Sequence, residues 1–195
     1  MSRRKTFSAL AVLMVLAGCG GGAKSPPRDL DNACSIVSQR PNYLRAMNAT
    51  EKKWGVPVPV IMAMIHQESK FDGDARTPFR WGLGVIPLGR QSSALGYSQA
   101  LDGTWDEYKA ATGARGKRTD IRAATDFMGW YMTQTRDRLG IPLSDAREQY
   151  LAYHEGWTGS KRGNYRRKAW LPPVATSIAS RADLYDTQLR GCGKR

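Results

Sequence analysis

Cysteine is scarce in this 195-residue chain: three residues, at positions 19, 34 and 192. That is too few for a miniprotein held together by several bridges. Histidine is scarcer still, and with only His66 and His154 there is no constellation of metal-ligand spacing. No cofactor or metal is therefore expected. Long apolar runs are missing as well. The longest, Phe7 to Leu16, is about half the length of a bilayer-crossing helix. Acidic residues are in deficit, 17 against 30 basic, for a net charge of +13. Taken alone, that excess invites a nucleic-acid partner. What is present argues for order: 41% hydrophobic residues, including 6 Trp, 8 Tyr and 4 Phe, with 24% charged. This is material for one packed domain and too little chain for two.

The N-terminus changes how the charge is read. Arg3, Arg4 and Lys5 precede the apolar run, and Ala17, Gly18 and Cys19 follow it. That order is the order of an export signal. Gly20-Gly21-Gly22 and Lys24-Ser25-Pro26-Pro27 then read as flexible tether. Residues 1–18 are expected to be a signal peptide, 19–33 a lipid anchor and linker, and 34–195 the folded domain. Leu16-Ala17-Gly18-Cys19 resembles the bacterial lipobox, whose cysteine is acylated and becomes the mature N-terminus. With Gly20 rather than an aspartate after the cysteine, the resemblance implies attachment to the outer membrane, facing the periplasm. Loss of residues 1–18 removes three basic residues and leaves +10 on an exported chain, so the nucleic-acid reading is set aside. With Cys19 acylated, Cys34 and Cys192 are expected to pair as a disulfide in an oxidising compartment; two free thiols are the alternative.

Beyond the tether, helical signals dominate and no alternating strand or repeat stands out. The spacing predicts six helices around one core. Asn42 is expected to cap a helix to Trp54, Pro57 and Pro59 to open one over 58–69, and Thr104 with Glu107 to form a capping box. The clearest helix is 120–139, followed by Gly140. Another starts at Ser144 or Asp145 and stops at Gly156, and Pro172-Pro173 open the last. Residues 72–96 read as a long ordered loop or a short β excursion.

The sharpest chemistry lies at Glu68. Ile61, Met64 and Ile65 precede it by seven, four and three residues, which places the carboxyl on an apolar helix face near the C-terminus. Desolvation and the negative helix end both favour the protonated form, as a general acid requires. The alternative is a carboxylate swung out to solvent. His66 falls off that face and is expected at the surface. In 70–95, Phe71, Phe79 and Trp81 with Arg76, Arg80 and Arg90 suit sugar stacking and carboxylate binding; equally, the aromatics could pin the loop to the domain. The run Lys161-Arg162 and Arg166-Arg167-Lys168 reads as a solvated basic face, and Glu155 as a helix-end charge.

Glu68-Ser69, then Gly96-Tyr97-Ser98-Gln99-Ala100, then Ala152-Tyr153-His154-Glu155-Gly156 together resemble the three motifs of the soluble lytic transglycosylase domain, in the lysozyme-like superfamily. The resemblance spans roughly residues 40–180. It implies a mainly α, lysozyme-like domain with the loop or small β excursion flanking a glycan groove. It implies Glu68 as the catalytic residue, with Ser69, Tyr97, Ser98, Gln99, Tyr153 and His154 binding substrate. It also implies peptidoglycan glycan strands as the partner, beside the membrane reached through the lipid anchor, and a monomer is expected. Two positions depart from the family's usual pattern: methionine is usual at Ser98 and asparagine at His154. The implied reaction cleaves the bond between N-acetylmuramic acid and N-acetylglucosamine and leaves a 1,6-anhydro end. A goose-type muramidase, using Asp72 or Asp74 to place a water, is the alternative enzyme. A catalytically silent peptidoglycan-binding lipoprotein is the alternative outside enzymes.

Overall fold

Helix starts in this chain are set by side-chain caps and prolines, and most of its helix ends by left-handed residues. The computed structural model describes residues 24–195; the expected signal peptide, lipobox and Cys19 lie outside the described residues. Seven helices and one hairpin follow in order: α1 (Ala33–Gln39), α2 (Pro41–Trp54), α3 (Val58–Ser69), β1 (Phe79–Gly82), β2 (Ile86–Arg90), α4 (Asp102–Thr112), α5 (Ile121–Leu139), α6 (Ala146–Lys161) and α7 (Leu171–Gly191), with a 3-10 turn at Asn164–Arg167. The carboxamide of Asn32 and the carboxylates of Asp120 and Asp145 accept backbone N–H bonds at the starts of α1, α5 and α6. Proline occupies the first turn of α2, α3 and α7.

The mainly helical fold with a small β excursion is present, with differences in detail. Helix α1 is additional to the six expected, its seven residues carrying too little periodicity to mark it in the sequence. Asn42 does not cap α2, since Pro41 already occupies its first turn. Thr104 and Glu107 lie inside α4, which begins at Asp102 without a side-chain cap. Gly156 breaks the helical path (φ 70°, ψ 162°), but a further turn continues to Lys161.

The described part of the expected tether, residues 24–33, is docked rather than loose. The Gln39 side chain bonds both the N–H and the carbonyl of Arg28. Asp31 pairs with Arg181 at 2.6 Å, and Tyr185 Oη donates to the Leu30 carbonyl. Polar side chains of the domain satisfy the backbone of this Pro-rich stretch, which composition alone cannot show. Cys34 and Cys192 form a disulfide across 158 residues of chain, closing α1 onto the end of α7.

Packing centres on α3. Every residue of Val58–Ser69 is buried except Gln67 and Glu68. Such a helix is the core of the domain rather than an amphipathic surface helix. It explains a correction: His66, expected at the surface, is buried, with its ring edge-on to Tyr185 of α7 at 6.4 Å. Around α3 lie α2, α6 and α7, and α5 packs across α2. That last crossing depends on Gly129, where a Cβ would come within 2.4 Å of the Trp54 ring. Trp105, Tyr108, Phe127, Trp130 and Tyr131 extend the core from α4 to α5 in a chain of ring contacts.

Candidate active site

Glu68 emerges on the last turn of the most buried helix, and the backbone there is bent sharply. Lys70 (φ 52°) and Phe71 (φ 62°) are consecutive non-glycine residues in the left-handed region. Such conformations cost about 1–3 kcal/mol each and persist where the surroundings overdetermine them. Here the Phe71 ring is fully buried and stacks on Tyr43 at 5.9 Å, and the Ser69 carbonyl accepts the Asp72 N–H. The bend leaves the Glu68 carboxyl partly open to solvent yet densely surrounded by protein. No hydrogen bond or ion pair among the described residues engages it. Burial pushes its pKa up from 4.5 to about 8, against a smaller opposing pull from the Lys70 ammonium. A carboxyl in this setting holds its proton at neutral pH.

The motif Gly96–Ala100 is the wall against which this helix end is fixed. Ser69 Oγ donates to the Tyr97 carbonyl at 2.9 Å and to the Ile65 carbonyl at 3.2 Å. Gly96 has φ 77°, and a Cβ there would lie 2.2 Å from the Arg118 carbonyl oxygen, so only glycine fits between the two segments. Tyr97 is buried and its hydroxyl meets that of Tyr43 at 3.0 Å. Ser98 is fully buried, and its Oγ has no hydrogen-bond partner. An apolar methionine, usual at that position in the resembled family, would leave no such orphan. Gln99 adopts φ 48° and donates through Nε2 to the carbonyls of Ala75 and Gly96. The resemblance implies that Ser69, Tyr97, Ser98 and Gln99 bind substrate. The structure instead puts Ser69, Tyr97 and Ser98 beneath the surface, where the Ser69 and Tyr97 side chains fix the loop and that of Ser98 bonds nothing, and commits the Gln99 amide nitrogen to backbone.

Helix α6 completes the site. Tyr153 Oη donates to the Ser98 carbonyl at 2.5 Å, tying the third motif to the second. Burial, reinforced by the nearby Glu68 charge, pushes the Tyr153 phenol well above its ordinary range; Tyr150, one turn earlier, responds to the same two causes. Both phenols therefore stay neutral beside Glu68. A small cleft of about 70 Å³ next to them is lined by Gln99, Leu101, Thr104, Phe127, Tyr131 and Tyr153.

His154 lies at the edge of this cluster, its ring 6.3 Å from that of Tyr150. It is exposed, its Nδ1 lies 2.9 Å from Glu155 Oε1, and its ring meets Trp170 edge-on at 5.1 Å. Glu155, expected as a helix-end charge, is buried and paired: its side chain is 4% exposed and takes Lys168 Nζ at 2.6 Å. The ammonium and the imidazole beside it overcome burial and hold its carboxyl below the usual range.

Asp72 accepts the Asp74 N–H in a local turn, and Asp74 pairs with Lys24 at 3.1 Å. Neither is among the charges that act on Glu68. A larger cavity of about 430 Å³ lies between α2 and α5, but Asp126 at its edge is already saturated by Lys53, Trp54 and Tyr108. None of the three motifs lines it. Sequence reasoning missed Tyr43, Lys70 and Tyr150. Tyr150 could have been found from its place three residues before Tyr153 on the same helix face, and Lys70 from its proximity to Glu68. Nothing local marks Tyr43.

A family model described as transglycosylase SLT domain matches residues 7–192 of the chain. No curated protein matches it.

Proposed function

Because the chain belongs to the transglycosylase SLT domain family, whose activity is lytic cleavage of peptidoglycan, we propose that it cleaves the muramoyl–glucosaminyl β-1,4 bond with Glu68 as the single catalytic carboxyl. The observation that carries this reading is the isolation of Glu68: protonated at neutral pH, free of ion pairs, and flanked by neutral Tyr150 and Tyr153. Glu68 donates its proton to the glycosidic oxygen as the bond to the anomeric carbon breaks. Positive charge develops at that carbon and the ring oxygen. The resulting carboxylate then takes the proton of the muramoyl C6 hydroxyl, whose oxygen closes on C1 to give the 1,6-anhydro end. Acid and base are one group in sequence, so no second carboxylate is needed to activate water. The engagement of Asp72 and Asp74 elsewhere supports this over hydrolysis. Tyr153, anchored on Ser98, keeps a neutral phenol beside the carboxyl, and the Gln99 amide oxygen and the adjacent cleft contact the sugar.

The experiment is digestion of purified sacculi with product analysis. Anhydro-muramoyl ends are expected, and Glu68→Gln should abolish them. Reducing muramic acid ends would replace the reading with a muramidase, and no release with a binding protein. We further infer that residues 1–18 are removed and Cys19 acylated, which places a monomeric domain on the periplasmic face of the outer membrane. Cys19→Ala should then abolish incorporation of labelled fatty acid.

A further inference from the structure

The hairpin β1–β2 buries almost nothing. Phe79, Trp81, Ile86 and Leu88 are exposed, and the turn between the strands carries Leu83 and Val85 at 93% and 75% exposure. Soluble surfaces seldom gather so many large apolar side chains in one projection. They occupy the tip and both strands: Trp81 stands across from Pro87 and Gly82 from Ile86. The reaction proposed above does not account for them. Aromatic rings stack on sugars, but Leu83, Val85, Ile86 and Leu88 offer no flat face. A protein partner covering one side would leave the other wet. Hydrocarbon that surrounds the tip would satisfy all of them.

Two further observations say which hydrocarbon. No acidic residue occurs between Asp74 and Asp102, whereas Arg76, Arg80 and Arg90 fall within that stretch. Arg90 is held over the Phe79 ring at 4.3 Å, but Arg76 and Arg80 have no ion-pair partner among the described residues. Free guanidinium groups on β1 and on the segment leading into it, behind an apolar tip, match anionic headgroups above acyl chains. The second observation is the position of the N-terminal segment. The Lys24 carbonyl accepts the Gly73 N–H at 2.8 Å and its ammonium pairs with Asp74. Lys24 therefore sits at the foot of the loop that bears the hairpin. Cys19 is five residues away in sequence, a reach of at most about 18 Å.

We propose that the β1–β2 hairpin inserts its apolar tip into an anionic phospholipid leaflet, with Arg76 and Arg80 on the headgroups, as a second membrane contact beside the N-terminal tether. The contact is independent of the chemistry at Glu68. It would hold the domain in one orientation, where a single tether leaves it free to tumble.

The test reads depth at Trp81 in the full-length chain, so that the N-terminal segment cannot produce the signal. The protein is mixed with phosphatidylethanolamine–phosphatidylglycerol vesicles carrying brominated acyl chains, and the Trp81→Phe spectrum is subtracted. The expected result is blue-shifted, bromine-quenched Trp81 emission. In Leu83→Asp/Val85→Asp, at positions exposed enough to leave the fold intact, the inserted fraction should fall about tenfold per side chain replaced. Unshifted, unquenched Trp81 emission in the presence of the vesicles would overturn the proposal. So would a shift produced instead by soluble muropeptides, or by raising the protein concentration without lipid.

Discussion

Replacing Glu68 with glutamine should abolish the reaction and stabilise the fold, with a gain that grows as pH rises. The carboxyl is held protonated up to about pH 8 in the folded chain, against an ordinary value of 4.5. Below pH 4.5 both folded and unfolded states carry the proton and the residue adds no pH dependence. Between 4.5 and about 8 the unfolded chain has released a proton that the native state retains. Stability therefore falls with rising pH and levels off above about 8. At 1.36 kcal/mol per pKa unit the ceiling on this penalty is about 5 kcal/mol. Partial solvent access at Glu68 discounts it to about 2–3 kcal/mol. Glutamine keeps the shape and cannot ionise, so it escapes the penalty. Urea titrations of both proteins from pH 4 to 9, at constant ionic strength, should give curves that coincide at the acid end. They should diverge by about 2–3 kcal/mol at pH 9, or roughly 4–12 °C in Tm for a domain of this size. A difference that stays flat with pH would refute the reasoning, because it would mean that Glu68 titrates as a solvated carboxylate.

Three other outcomes are expected. Tyr153→Phe removes the hydroxyl that ties α6 to the Ser98 carbonyl and should lower kcat about tenfold with KM little changed, measured on a defined glycan oligomer. Cys34→Ser/Cys192→Ser opens a 158-residue separation; the chain-entropy argument predicts a loss of about 5 kcal/mol, which melts with and without reductant would reveal. Gly96→Ala sets a Cβ 2.2 Å from the Arg118 carbonyl oxygen at φ 77°, so thermal melts should show a loss of about 1–3 kcal/mol as the two segments part.

Much of this fold was legible because the relevant signals are local. Proline marks the start of α3 and glycine the end of α5, and the apolar spacing before Glu68 identified the carboxyl whose pKa the fold raises. Where the reading went astray, the deciding interaction was distant in sequence. His66 looked like a surface residue by helical phase, but α7 returns from more than a hundred residues away to cover it. Glu155 looked like a helix-end charge, but Lys168, on the turn after α6, closes over it. The stretch 24–33 has the composition of a tether, yet Gln39, Arg181 and Tyr185 hold it in place. Tyr97 and Ser98 belong to a motif whose chemistry suggested contact with sugar, and their burial shows them supporting the site from beneath.

The scarcities of the sequence set firm limits. One glutamate on an apolar helix face, two histidines and three cysteines left few ways to build a site, and the order of three short motifs placed it in its family. These follow from residue identity and spacing, which the chain carries before it folds. The tertiary structure decided which charges act on Glu68, that Cys34 meets Cys192, and that residues 79–90 face outward with their apolar side chains uncovered. Each depends on segments far apart in sequence meeting in space, or failing to meet, and no local pattern records that.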